Sequence, residues 1–171
     1  MSRPYLAAED SALLREALEG YYGGSFLEIG AGNGGGLVSV RERFGTRTGT
    51  DVVRPGISDW SDTGADFVLC DRAACFRDGV FDVVAFNPPY LRSEVNDRAV
   101  DGGERLEIPA EFMREALRVT KAGGKIVFLL GEDGGEDEIS GVCEQWGAQM
   151  RKVAEKRIFY GALTVYEADR R

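Results

Sequence analysis

Apolar positions along the chain alternate between helical spacing and short continuous runs. In residues 9–22 (EDSALLREALEGYY), Leu13, Leu14, Ala17, Leu18 and Tyr21 recur every three or four positions, and Asp10 or Ser11 can cap the start of the predicted helix. Ser25-Phe26-Leu27-Glu28-Ile29-Gly30 is a short apolar run ending in a glycine-rich turn, the pattern of a buried strand. Residues 35–44 predict a helix, and the stretch from about Thr46 to Asp51 a second strand. A proline-containing helix or loop leads to a third strand, Asp66 to Cys70. The fourth, Phe81 to Phe86, is the clearest and runs into Asn87-Pro88-Pro89-Tyr90. Phe112, Met113, Ala116, Leu117 and Thr120 give a helix over 109–121, stopped by Gly123-Gly124. Strand five covers Lys125 to Leu130, a helix 136–147, and the tail forms two strands around a turn at Gly161.

Strands alternating with helices imply a mostly parallel sheet covered on both faces. The last two strands, joined by a short turn, should be antiparallel. The expectation is a single α/β domain over residues 1–171, with 1–22 as an N-terminal segment and helix and the polar, glycine-rich stretch 91–107 as a lid or substrate loop. At 171 residues one core suffices, since such a domain buries roughly 70% of its unfolded surface.

Composition narrows the chemistry more than the fold. The chain has no histidine, which excludes Ser-His-Asp and Cys-His couples and histidine metal ligands. Twenty-nine acidic against 21 basic residues give a net charge of -8, which argues against a broad basic face for nucleic acid but leaves a local patch open. Cys70, Cys75 and Cys143 are odd in number and form no CxxC, so neither a disulfide framework nor a zinc site is expected. Cys70 and Cys75 read as buried small apolar residues, and Trp60 and Trp146 as packing. No apolar run approaches the ~20 residues of a membrane helix, and Met1-Ser2-Arg3-Pro4 opens no signal peptide. A soluble, cytoplasmic chain without a metal is the expectation.

In open α/β sheets ligands bind beyond the carboxyl ends of the strands. Three acids stand at those ends, Glu28, Asp51 and Asp71, and glycines 30, 32, 34, 35 and 36 fill the first turn. The loop satisfies G-x-G-x-x-G at Gly30, Gly32 and Gly35, with Asp51 following, so a nicotinamide oxidoreductase is one reading. Glu28 favours another. S-adenosylmethionine carries a sulfonium and an ammonium and no phosphate; a carboxylate beside the loop suits those cations and would repel a pyrophosphate. Asp51 can accept from both ribose hydroxyls, and Asp71 from the adenine amino group.

Asn87-Pro88-Pro89-Tyr90 is the most specific signal. Successive prolines fix their own φ and hold the residues before them extended. A planar NH2 group placed here could donate one proton to the Asn87 side-chain oxygen and the other to the Pro88 carbonyl, with Tyr90 as a flat wall. That holds an amide or aromatic amine for in-line attack on a methyl and needs no strong base.

Together these features resemble the class I S-adenosylmethionine-dependent methyltransferases. The similarity is strongest to the small archaeal and eukaryotic HemK-type enzymes that methylate the Gly-Gly-Gln glutamine of translation release factors. Tyr5 to Leu14 (YLAAEDSALL) is similar to the family's opening segment, with Ser11 at the cofactor-contacting position and Leu6-Ala7 in place of Glu-Pro. Leu27 to Gly34 matches the first cofactor motif, Asp51 the second, Asp71-Arg72 the adenine pair and Phe86 to Tyr90 the N-P-P-Y element. Arg157 to Tyr160 and Leu163 to Val165 resemble the closing strands, with Gly161-Ala162 where acids are common.

The resemblance implies a Rossmann-like seven-stranded domain that transfers a methyl from S-adenosylmethionine to a glutamine side-chain nitrogen. It also implies a small zinc-binding activator protein pairing at the apolar edge of strand 66–70. N-P-P-Y also occurs in adenine-N6 and guanine-N2 methyltransferases of DNA and RNA, and a noncatalytic subunit retaining the fold is a further alternative. Residues 131–140 (GEDGGEDEIS) carry five acids and no base, read as a solvated face or as a rim favouring a basic protein loop over nucleic acid.

Overall fold

A computed structural model describes residues 4–56, 60–89, 107–132, 134–159 and 161–171, with side chains from Glu9 onward. The first helix, α1 (Pro4–Leu18), precedes β1 (Gly23–Ile29), the short α2 (Gly35–Ser39), β2 (Phe44–Asp51), β3 (Asp66–Leu69) and β4 (Phe81–Phe86). Then come α3 (Glu107–Val119), β5 (Thr120–Gly131), α4 (Glu136–Gln145), β6 (Gln149–Ile158) and β7 (Gly161–Asp169). The strands form one sheet in the order β3-β2-β1-β4-β5-β7-β6. Strands β1 to β5 pair in parallel; β7 alone is reversed, antiparallel to both β5 and β6.

The order explains why helices cover both faces. From β1 the chain steps one way to β2 through α2, and from β4 the other way to β5 through α3. Right-handed crossovers in opposite directions put their helices on opposite faces. Between the layers Phe26, Leu27, Ile29, Phe86 and Phe128 are fully buried, and Phe86, Phe128 and Tyr166 stack in sequence at 5.2 and 5.6 Å. Trp60 packs edge-on against Phe67 at 4.9 Å and donates its Nε1–H to the Ala65 carbonyl, which is the packing role expected of it. Trp146 lies under the Arg170 guanidinium at 5.8 Å.

Three expected boundaries move. The first helix runs Pro4–Leu18 instead of over 9–22, so Asp10 and Ser11 lie inside α1 and do not cap its start. The helix expected to reach residue 44 stops at Ser39, because Phe44 belongs to β2 and packs on Phe26 at 5.0 Å. Gly123-Gly124 does not stop α3, which ends at Val119. Thr120 already pairs with Phe81, and the register shifts before Val83 meets Lys125. The glycines lie in that bulge: Gly123 has φ 78, and a Cβ on Gly124 would stand 2.8 Å from the Asp82 carbonyl oxygen. The thiols also differ from expectation. Cys143 is buried, but Cys75 is exposed and Cys70 half-buried, because the turn after edge strand β3 lies at the surface.

A cavity of ≈ 560 Å³ lies among the amino ends of β1, β4 and β5. There Lys121 pairs with Asp82, and Lys125 and Arg151 pair with Glu167, so the charged groups satisfy one another. No described helix is long and apolar enough to cross a membrane.

Candidate cofactor and amide site

The parallel strands deliver Gly30, Asp51, Cys70, Asn87 and Glu132 to one pole of the sheet. Gly30, Gly32 and Gly34 have φ of 72, 54 and 79, the left-handed region that glycine enters without steric cost. The N–H groups of Gly30 and Ala31 both donate to the Thr50 carbonyl, at 2.8 and 2.9 Å, tying the loop to β2. Gly32 N–H donates to Asp51 Oδ2 at 3.0 Å and Val53 N–H to Oδ1 at 3.0 Å. Two backbone donors thus fix the Asp51 carboxylate, and its remaining lone pairs can accept from hydroxyls. Among the described residues nothing lies within 4 Å of the position a Cβ would take on Gly32, so there is room beside the loop.

Glu28 reaches under the first turn of α2. A Cβ on Gly36 would stand 2.3 Å from its Oε1, so only glycine leaves room for the carboxylate. Burial pushes the Glu28 pKa up to about 8, against the lowering pull of the Leu37 backbone N–H and the Arg15 guanidinium.

Three buried side-chain atoms lack a hydrogen-bond partner among the described residues: Glu28 Oε2, Thr50 Oγ1 and Asn87 Oδ1. They belong to the carboxyl ends of three neighbouring strands, β1, β2 and β4. Buried polar atoms are normally paired, and a stranded one costs about 1–3 kcal/mol. Their concentration at one pole, beside the glycine cradle, fits a polar and cationic ligand.

The Asn87 amide is oriented by a residue the sequence marked only as a helix cap. Its Nδ2–H donates to Asp10 Oδ2 at 3.2 Å, and Asp10 is 6% exposed. Pro88 is buried and Pro89 half-buried. Ser11 is half-buried in α1, and its N–H meets Asp10 Oδ1 at 2.8 Å. Tyr90 and residues 91–106 lie outside the described residues, as do Asp133 and Tyr160.

Asp71 is exposed and follows β3, where Cys70 N–H joins the Asp51 carbonyl at 3.0 Å. Arg72, with φ 51, bridges Asp71 at 2.9 Å and Glu111 of α3 at 2.6 Å. Arg118 holds the same turn through the Ala73 and Phe76 carbonyls, a latch with no local sequence signal. Within the acidic stretch Glu136 accepts from the Tyr166 hydroxyl at 2.6 Å, while Glu132, Asp137 and Glu138 are exposed.

No family model matches the chain. It is 28% identical over 181 residues to a chain of Methanocaldococcus jannaschii named as a protein N5-glutamine methyltransferase, with 96% of this chain and 90% of that one covered. A release factor glutamine methyltransferase of Caulobacter vibrioides is 31% identical over 132 residues; the match takes in 64% of this chain and 46% of the relative, about half its length.

Among solved structures, one chain of the E. cuniculi Mtq2–Trm112 complex, responsible for methylation of the eRF1 translation termination factor, superposes with a TM-score of 0.79. Its identity is 24%, with 95% of this chain and 96% of that one covered. A 16S rRNA N2 methyltransferase of T. thermophilus, in complex with AdoMet and guanosine, gives 0.72 at 18% identity over 98% and 40% of the two chains. The N-methyltransferase NodS of Bradyrhizobium japonicum with S-adenosyl-L-homocysteine gives 0.66 at 13% identity over 99% and 89%. Strand order, glycine cradle and strand-end acids agree with these likenesses: the chain has the Rossmann-like fold of these methyltransferase structures, and chains named as protein-glutamine N5-methyltransferases are among its relatives by sequence.

Proposed function

We propose that the protein methylates the side-chain amide nitrogen of a protein glutamine, that of the Gly-Gly-Gln motif of a translation release factor. The observation that carries this reading is the buried Asn87 Oδ1 just after β4, an acceptor without a partner among the described residues and followed in the chain by two prolines. Asp51 would take the ribose hydroxyls, Asp71 and the Arg72 turn the adenine edge, and Glu28, the loop at Gly30 and Gly32, and Ser11 the methionine end. Bound S-adenosylmethionine supplies an electrophilic methyl on a sulfonium.

The chain's own part is to hold the acceptor. Asn87 Oδ1 accepts one substrate N–H and the Pro88 carbonyl the other, with Pro89 stiffening the turn and Tyr90 as the wall. The amide plane is thereby fixed and its nitrogen presented face-on. Both N–H bonds point at acceptors where positive charge develops on nitrogen, so the transition state gains more than the ground state. The proton lost from that nitrogen after transfer is acidic enough to leave to water, and no histidine is needed.

Side-by-side methyl transfer to a purified release factor, tRNA, rRNA and DNA tests the substrate. Methyl on the Gly-Gly-Gln glutamine is expected; label in nucleic acid alone would overturn the reading.

Cofactor binding should release a proton. In the empty protein Glu28 holds its proton more tightly than the unfolded chain does. Its contribution to stability therefore declines as pH rises from the ordinary 4.5 through about 8. A bound cation favours the ionised form, so at pH 7 calorimetry in buffers of differing ionisation enthalpy should show proton release, absent in Glu28→Gln. In the same experiment Asp51→Ala should weaken binding by roughly 1–3 kcal/mol. NAD should not bind.

The β3 edge supports a protein partner. Leu69 is 62% exposed on this outermost strand, and Phe67 and Val68 are half-buried. An open apolar edge invites strand addition. The occupant fitting the family resemblance is a small zinc-binding activator. Adding it should raise soluble yield and activity, and Leu69→Lys should weaken its binding about tenfold or more by burying an unpaired ammonium. Full activity of the isolated chain, unchanged by the partner, would count against this.

A further inference from the structure

We infer that Asp10 is a positioning residue for methyl transfer, setting which end of the Asn87 amide faces the substrate and polarising it; the inference rests on the proposed amide substrate. An asparagine side chain can present either its oxygen or its NH2 to a cleft by turning about one bond. At Asn87 the choice decides function, because an acceptor holds a substrate NH2 and a donor repels it. Asp10 settles it. Its carboxylate, buried in α1, can only accept; Asn87 Nδ2–H reaches it at 3.2 Å, and Oδ1 is left buried, without a partner, on the other side of the amide.

A second effect follows from the same contact. Donation from an amide N–H to a carboxylate draws the amide toward its charge-separated form, so Oδ1 becomes a stronger acceptor. During transfer the substrate nitrogen gains positive charge and the N–H held by Oδ1 becomes a stronger donor. The relay from Asp10 through Asn87 to the substrate thus strengthens toward the transition state, and its loss should appear in kcat, not KM.

A charge swap tests this. Asp10→Asn removes the fixed acceptor and should lower kcat about 10- to 100-fold, with KM and cofactor affinity within about threefold. Asn87→Asp alone sets two carboxylates face to face and should lose at least as much. In the combined Asp10→Asn, Asn87→Asp variant the new amide at position 10 can donate to the new carboxylate at position 87, whose second oxygen accepts from the substrate. Its kcat should recover at least about tenfold over the poorer single variant.

Melting curves and calorimetry on the same preparations exclude misfolding as the cause. A readout free of substrate is the 15N–1H signal of the Asn87 side-chain NH2: one proton should lie downfield in the wild type and return in Asp10→Ala. Wild-type kcat from Asp10→Asn, no recovery in the swap, or an Asn87 signal indifferent to Asp10 would overturn the inference. If the wild type itself transfers nothing to the Gly-Gly-Gln protein, the substrate reading fails, and the NH2 signal still decides the role of Asp10.

Discussion

Asn87→Ala should lower methyl transfer to a Gly-Gly-Gln protein by a few hundredfold or more, while cofactor affinity changes by less than about tenfold. The split follows from where the side chain sits. Asn87 ends β4, joined on one side to Asp10 of α1, and neither of the backbone contacts that fix Asp51 passes through it. Removing its amide strands the substrate N–H, at about 1–3 kcal/mol, and frees the substrate amide to turn, which can add about 100-fold. Asn87→Asp separates orientation from charge. It keeps an acceptor and adds a negative charge near a bound cation, so cofactor binding should tighten while transfer slows, the ground-state sulfonium gaining more than a transition state in which that charge is spent. Single-turnover transfer measured beside calorimetry decides both; wild-type rates from Asn87→Ala would reduce the proline turn to architecture.

Gly36→Ala should destabilise the protein by about 1–3 kcal/mol and abolish tight cofactor binding. Inside an ordinary helix the same change would stabilise by up to about 1 kcal/mol. Here the sign reverses because the methyl would lie 2.3, 2.6 and 2.7 Å from Glu28 Oε1, Cδ and Oε2. Those atoms cannot all recede, since the carboxylate is enclosed between β1 and α2. Either Glu28 swings out or the first turn of α2 lifts, and both deform the glycine cradle. The double variant Gly36→Ala, Glu28→Ala removes the obstruction and should be more stable than Gly36→Ala alone, a coupling that thermal melts would read directly. Equal melting temperatures for wild type and Gly36→Ala would show that the carboxylate moves freely.

Much of this arrangement is legible in sequence because parallel strands buried on both faces leave continuous apolar runs, and their carboxyl ends are marked by glycine, acid or proline. Glu28, Asp51 and Asn87 could be placed at strand ends on that ground alone. The β5 start could not. Lys121-Ala122-Gly123-Gly124 has no apolar alternation, and its strand state comes from the backbone of Phe81 across a bulge. The Asp10–Asn87 bond spans 77 positions, so no local spacing reports it. Cys70 and Cys75 read as buried because small thiols usually are, whereas their exposure depends on β3 being the last strand of the sheet.

The position of β7 has a consequence for how the chain comes off the ribosome. Of the seven strands of this sheet it is made last, yet it lies between β5 and β6 and supplies hydrogen-bond partners to both. Until Gly161–Asp169 emerges, β6 has no place in the sheet and the inner strand β5 offers a bare edge. At translation rates of about 5–20 residues per second, that edge stays open for seconds after β5 itself is complete. A nascent chain stalled before Gly161 would therefore be an aggregation hazard that needs a chaperone, while emergence of Gly161–Asp169 would close the sheet in one step.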